Sequence, residues 1–101
     1  MDASGWLERV PTGRVETLGA DDLAGLLSVA RSVREVDTRL AGVLRVLELE
    51  GVLLVQEQTT RGQLLVRRVG SLAAAEALIA GRLEIYERMW DGCGCKVHYR
   101  D

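Results

Sequence analysis

The spacing of apolar residues changes its period along the chain. From Asp21 onward, Leu23, Leu26, Leu27, Ala30 and Val33 recur at helical spacing and predict an amphipathic helix. Asp21 and Asp22 suit its start, where carboxylates accept from free backbone N–H groups and complement the positive helix end. A second stripe, Val36, Leu40, Val43, Leu44 and Leu47, predicts a helix over about residues 35–50. Gly51 is its natural stop, because the residue past a last helical turn often needs positive φ. No Gly or Pro marks the boundary between the two helices near Val33–Asp37.

The period then shortens. Val52–Gln58 and Gln63–Val69 are extended runs rich in Val, Leu and Gln, and Thr59-Thr60-Arg61-Gly62 between them is turn-like, which predicts a β-hairpin. Ser71 can cap a long final helix whose apolar face is Leu72, Ala75, Leu78, Ile79, Leu83, Tyr86, Met89 and Trp90, running to about Asp91 and ended by Gly92. Ala73, Ala77 and Gly81 fall four apart on it and form a low-relief strip. Gly81 costs about 1 kcal/mol against Ala in a helix interior, so the strip predicts close packing of a second backbone and a homodimer. Ahead of all this, Trp6, Leu7 and Val10 fit one side of a short helical turn, Pro11-Thr12-Gly13 is a break, and Val15 and Leu18 fit a short extended piece. The expected organisation is an irregular segment over 1–20, a core over 21–70, a dimerisation helix over 71–92 and a tail over 93–101.

The stretch DTRLAGVLRVLELEGVLLVQEQTTRGQLLVRRV resembles the recognition-helix-plus-wing segment of winged helix-turn-helix proteins, with Leu47-Glu48-Leu49-Glu50-Gly51 as the end of the recognition helix and Thr59 to Gly62 as the wing tip. The resemblance covers about residues 21–70. It implies an α+β fold with a winged-helix-like helix pair, a β-hairpin and a long C-terminal helix. It also implies a regulatory or accessory protein with double-stranded DNA as partner. On the expected second helix, Arg34, Thr38, Gly42 and Arg45 lie opposite the apolar stripe, with Arg39 on the flank. Such a face suits phosphate and guanine edges. Arg61 at the hairpin tip, and Arg67 or Arg68, could add phosphate contacts. The bland reading of the same residues is a solvated helix face with local pairs such as Glu35 with Arg39.

Composition limits the choice. The 101 residues make one domain, 48% apolar and 28% charged, which excludes a disordered chain. The formal charge of −2 excludes a bulk polycation. Residues 31–70 are net +2 and the remainder net −4, so the positive charge is local and mild. No apolar run approaches the roughly 18 residues of a membrane span. The start, MDASGWLERV, has neither the basic region nor the apolar core of a signal peptide, so a cytoplasmic protein is expected.

The two cysteines, Cys93 and Cys95, both fall in the tail and cannot staple distant parts of the fold. With His98 they form C-x-C-x2-H, a donor set suited to Zn²⁺ or Cu⁺ and short of the four ligands a structural zinc site takes, so two chains could share one site. The other readings are a redox pair beside Lys96, and two small residues packed near Trp90 with no further role. An enzyme is not expected. His98 is the sole histidine, and the spacing shows no acid–base couple of carboxylates, no phosphate-binding glycine loop and no nucleophile–base pair. The sequence therefore predicts a DNA-binding protein responsive to metal or redox state through its tail. The alternatives are a protein-interaction module that does not bind DNA, and a small metal carrier.

Overall fold

The computed structural model describes residues 3–38 and 42–92. Eight elements follow one another: α1 (Ala3–Arg9), β1 (Val15–Leu18), α2 (Ala20–Val29), β2 (Arg31–Asp37), β3 (Val43–Leu49), β4 (Val52–Gln58), β5 (Leu64–Val69) and α3 (Leu72–Gly92). The class is α+β. The five strands form one antiparallel sheet in the order β1-β5-β4-β3-β2.

The sheet has helices on both faces because its central strands are apolar on both. Along β3, Leu44 and Val46 point to one face and Leu47 and Leu49 to the other, and all four are buried. On one face Trp6 from α1, Val10 just after it and Leu26 from α2 pack onto Leu18, Leu47, Leu49, Leu54 and Val66. On the other, α3 delivers Ala75 and Ile79 onto Leu44, Val46 and Val55. The result is a three-layer domain with the sheet in the middle. Arg9 fastens the first layer: its guanidinium stacks 5.2 Å from the Trp6 ring, donates to the Thr17 carbonyl at 3.3 Å and pairs with Asp22 Oδ2 at 3.1 Å.

Much of the sequence reading matches: β4, β5, α3 and the start of α2 are as expected. The helical turn and extended piece ahead of them are α1 and β1, so the segment expected to be irregular holds a helix and a strand of the sheet. The hairpin of β4 and β5 closes where Thr59 to Gly62 predicted it. Gly62 sits at φ 81°, and Thr59 Oγ1 accepts from the Gln63 N–H at 3.1 Å. Ser71 caps α3, its Oγ accepting from the Ala74 N–H at 3.0 Å. Asp22 serves the start of α2 by accepting from the Gly19 N–H at 3.2 Å.

The helix expected over 35–50 is not there. Residues 31–37 and 43–49 are the paired strands β2 and β3, so the expected winged-helix-like helix pair is replaced by one helix and a second hairpin. Two physical causes are visible. Val33, Val36, Val43 and Val46 are β-branched, stiff in a helix and well accommodated on a pleated surface. The turn is the second. Glu50 at φ 51° and Gly51 at φ 79° are the two residues between the paired Leu49 and Val52. Positive φ at both central positions is what a type I′ hairpin requires, and it suits the right-handed twist of the flanking strands. Positive φ at Gly51 is thus real, but it closes a hairpin instead of a helix. The first helix also ends earlier than expected, with Ala30 already extended at φ −98° and ψ 151°.

Candidate functional site

The residues expected to face DNA are not on one surface. Arg34 pairs across the sheet with Val46, on the side of α3, and forms an ion pair with Glu76 of that helix. Arg45 pairs with Glu35 on the opposite side, where its Nη1 donates to Gln56 Oε1 at 2.7 Å and its Nε lies 3.6 Å from Glu35 Oε1. One step along paired strands therefore sends the two arginines to opposite faces. Thr38 follows β2, and its hydroxyl donates to the Gly42 carbonyl at 2.8 Å. Arg61 lies in the exposed turn between β4 and β5. Arg39 is outside the described residues, as are Cys93, Cys95 and His98. Among the described residues, no group of three His, Cys, Asp or Glu side chains could hold a metal ion. Among them too, no helix is long and apolar enough to cross a membrane.

The structure assembles two other polar constellations. The first is buried between the sheet and α3. Glu57, 2% exposed on β4, accepts from the Tyr86 hydroxyl at 2.5 Å, from Arg82 Nε at 2.8 Å and from Arg67 Nη2 at 3.3 Å. Arg82 also donates to the Tyr86 oxygen at 3.3 Å and stacks 5.2 Å from its ring. Burial raises the Tyr86 hydroxyl above its ordinary pKa, and the bond to Glu57 raises it further. The bond to Tyr86, then those to Glu57, hold the Arg82 guanidinium protonated against the cost of burial. The Glu57 carboxylate meets two cations and a hydroxyl. Its partners satisfy it, so the cluster clamps α3 to the sheet instead of offering a reactive group.

The second constellation is at the end of the sheet where β5 finishes and the chain enters β1. Two shallow cavities, each about 230 Å³, share Arg68 as a wall. One is lined by Thr12, the Gly51–Leu53 segment and Arg68 to Gly70, the other by Gly13, Arg14, Val15, Arg67 and Arg68. Arg68 Nη2 donates to the Leu7 carbonyl at 2.5 Å, while its Nε is buried without a partner. Sequence reasoning offered Arg67 and Arg68 only as additions to a DNA face. It marked nothing at Arg14, Glu57, Arg82 or Tyr86 as a site. Glu57 sits between Gln56 and Gln58, past the apolar Val52–Val55, so nothing in the sequence pointed to the buried cluster.

The rim of the sheet is the other exposed feature. β2 is its last strand, and every residue in it is exposed except the half-buried Val36. The ladder skips Val33, where a bulge shifts the register between Ser32 and Arg34. Comparison with family models, with curated proteins and with solved structures finds no match, so only the chain's own geometry bears on its role.

Proposed function

We propose that the chain is a non-catalytic protein-interaction module that takes an extended segment of a partner polypeptide onto the outer edge of β2. The observation that carries this reading is an edge strand of seven residues, Arg31–Asp37, whose outer side has no strand beside it among the described residues. Outside the bulge at Val33, an edge of this kind presents N–H and C=O groups that a second chain can complete by strand addition. Charges often guard such edges. Here most of them are already compensated within the chain: Arg31 pairs with Glu48 at 3.0 Å, Arg34 with Glu76 and Glu35 with Arg45. A partner strand therefore need not bring matching charges, and main-chain hydrogen bonds supply most of its affinity.

The same geometry favours a polypeptide over a DNA duplex as the partner. Groove reading needs an element that presents several base-reaching side chains on one surface. Arg34 and Arg45 lie on opposite faces, each beside a carboxylate.

Selection from a displayed random-peptide library, followed by hydrogen exchange on the complex, tests the reading. Bound peptide should slow exchange at the amides of residues 31–37. Binders that protect another surface would contradict it. So would tight, salt-sensitive binding to a random duplex pool that Arg34→Ala and Arg45→Ala abolish.

A further inference from the structure

The basic end of the sheet is separate from the β2 rim, and it has the make-up of an anion site. Thr12, Gly13, Arg14, Arg67, Arg68 and Gly70 line the paired cavities. Arg67 is already paired with Glu57 at 3.3 Å. Arg14 and Arg68 are different: among the described residues neither has a carboxylate within 4.0 Å. No acidic side chain lines either cavity among those residues. Arg68 is half-buried, and among the described residues its guanidinium's one bond is to the uncharged Leu7 carbonyl while its Nε has no partner. A partly desolvated guanidinium without a counter-charge is costly, and a bound anion removes that cost.

We propose that this end of the sheet binds a phosphate or phosphomonoester group, held between Arg14 and Arg68. The two guanidiniums come from neighbouring segments, the loop before β1 and the end of β5, and both line one cavity. A phosphate brings three or four acceptor oxygens and up to two negative charges, so it can meet both guanidiniums and keep oxygens for water. Thr12 lines the adjoining cavity on the other side of Arg68. Gly13, beside Arg14 in the shared cavity, has nothing within 4 Å of where a Cβ would sit. The cavity that Arg14 and Arg68 share, about 230 Å³, holds a phosphate and a few waters, not a large organic body. The site therefore takes the phosphate end of a ligand whose remainder stays outside.

Amide chemical shifts followed by NMR test the proposal on the full chain at neutral pH. Inorganic phosphate, at ionic strength held constant with chloride, should produce saturable shifts confined to residues 12–15 and 67–70. Acetate should bind more weakly. Arg14 is exposed and unpaired, so Arg14→Gln should leave the spectrum of the fold intact and weaken phosphate by about tenfold, the effect of losing one charge-assisted hydrogen bond. Arg61→Gln, at the other end of β4 and β5, should change nothing. Vesicles of phosphatidylcholine with and without phosphatidic acid identify the source. Shifts with inorganic phosphate point to a soluble ligand, and shifts only with phosphatidic acid point to a lipid headgroup at the same site. No saturable shift in either arm, equal shifts with chloride, or an unaltered affinity in Arg14→Gln would overturn the proposal.

Discussion

Tyr86→Phe removes one oxygen from the buried cluster and leaves the ring to fill its space. Tyr86 is 4% exposed, and its hydroxyl donates to the Glu57 carboxylate at 2.5 Å. A hydrogen bond to a charged group contributes about 1.5–3 kcal/mol net. Glu57 keeps both guanidiniums in the variant, and those side chains are 28% exposed, so its charge is not stranded. The expected loss is therefore about 2 kcal/mol, near the middle of that range. In a domain of this size that lowers Tm by roughly 8–16 °C. Glu57→Gln is more severe, because it leaves Arg67 and Arg82 facing each other without a carboxylate. The expected loss is about 3 kcal/mol, the lower end for breaking a buried pair, since both arginines reach solvent. Urea denaturation of wild type, both single variants and the double variant gives the coupling. It should be about 1–2 kcal/mol, because both changes remove the same bond. The alkaline limb adds a sign. The folded state raises the Tyr86 pKa, so this stabilisation is complete below the unfolded pKa and is lost as pH rises through the folded one. Tyr86→Phe should therefore be less sensitive to alkali than wild type. A loss under about 0.5 kcal/mol with no coupling would refute the claim that the cluster holds α3 to the sheet.

Three further outcomes are expected. The Arg9 bond, and then the Gly19 N–H, depress the Asp22 pKa. This stabilisation is present above the unfolded carboxylate pKa and fades as pH falls through the folded one, so Asp22→Asn should flatten the acid limb of a Tm-versus-pH curve, and an unchanged limb would count against the pairing. Gly81 has open space where a Cβ would sit, with nothing within 4 Å, so Gly81→Ala should stabilise the isolated fold by about 1 kcal/mol in thermal melts; a loss instead would show that a second copy packs on that strip. The tail should bind Zn²⁺ or Cu⁺ at up to one per chain, lost in Cys93→Ser/Cys95→Ser, reduced in His98→Ala and weaker as pH falls; elemental analysis of reduced protein showing no metal and no uptake would remove that reading.

Much of the fold could be read from the sequence, and the failure was local. The β4–β5 hairpin and α3 were legible because each carries its own punctuation: Thr59 to Gly62 bracketed by Val- and Leu-rich runs, and Ser71 ahead of a long apolar face. Residues 31–49 were not. Val36, Val43, Leu44 and Leu47 satisfy a helical stripe, but Leu44 with Val46 and Leu47 with Leu49 satisfy the two faces of a central strand equally well. Gly51 suits a helix end and a type I′ turn alike, so it could not decide. The sheet decided it, because β4 is buried on both sides and needs a neighbour on each edge. That one reversal scattered the expected DNA face. The clamp at Glu57 and the basic end were illegible for another reason. Their members lie far apart in sequence, from Arg14 to Tyr86, and only the antiparallel pairings and the packing of α3 on the sheet bring them together.

The functional reading rests on the pairing of residues 31–49, and interstrand nuclear Overhauser effects test it most directly. Cross-strand backbone contacts are expected between Glu35 and Arg45 and between Val36 and Leu44, with extended-strand carbon shifts through residues 31–37 and 43–49. A continuous run of sequential amide–amide contacts with helical shifts over 35–50 would contradict the pairing. That result would restore a single helix carrying Arg39 and Arg45, and with it the reading of a DNA-facing surface.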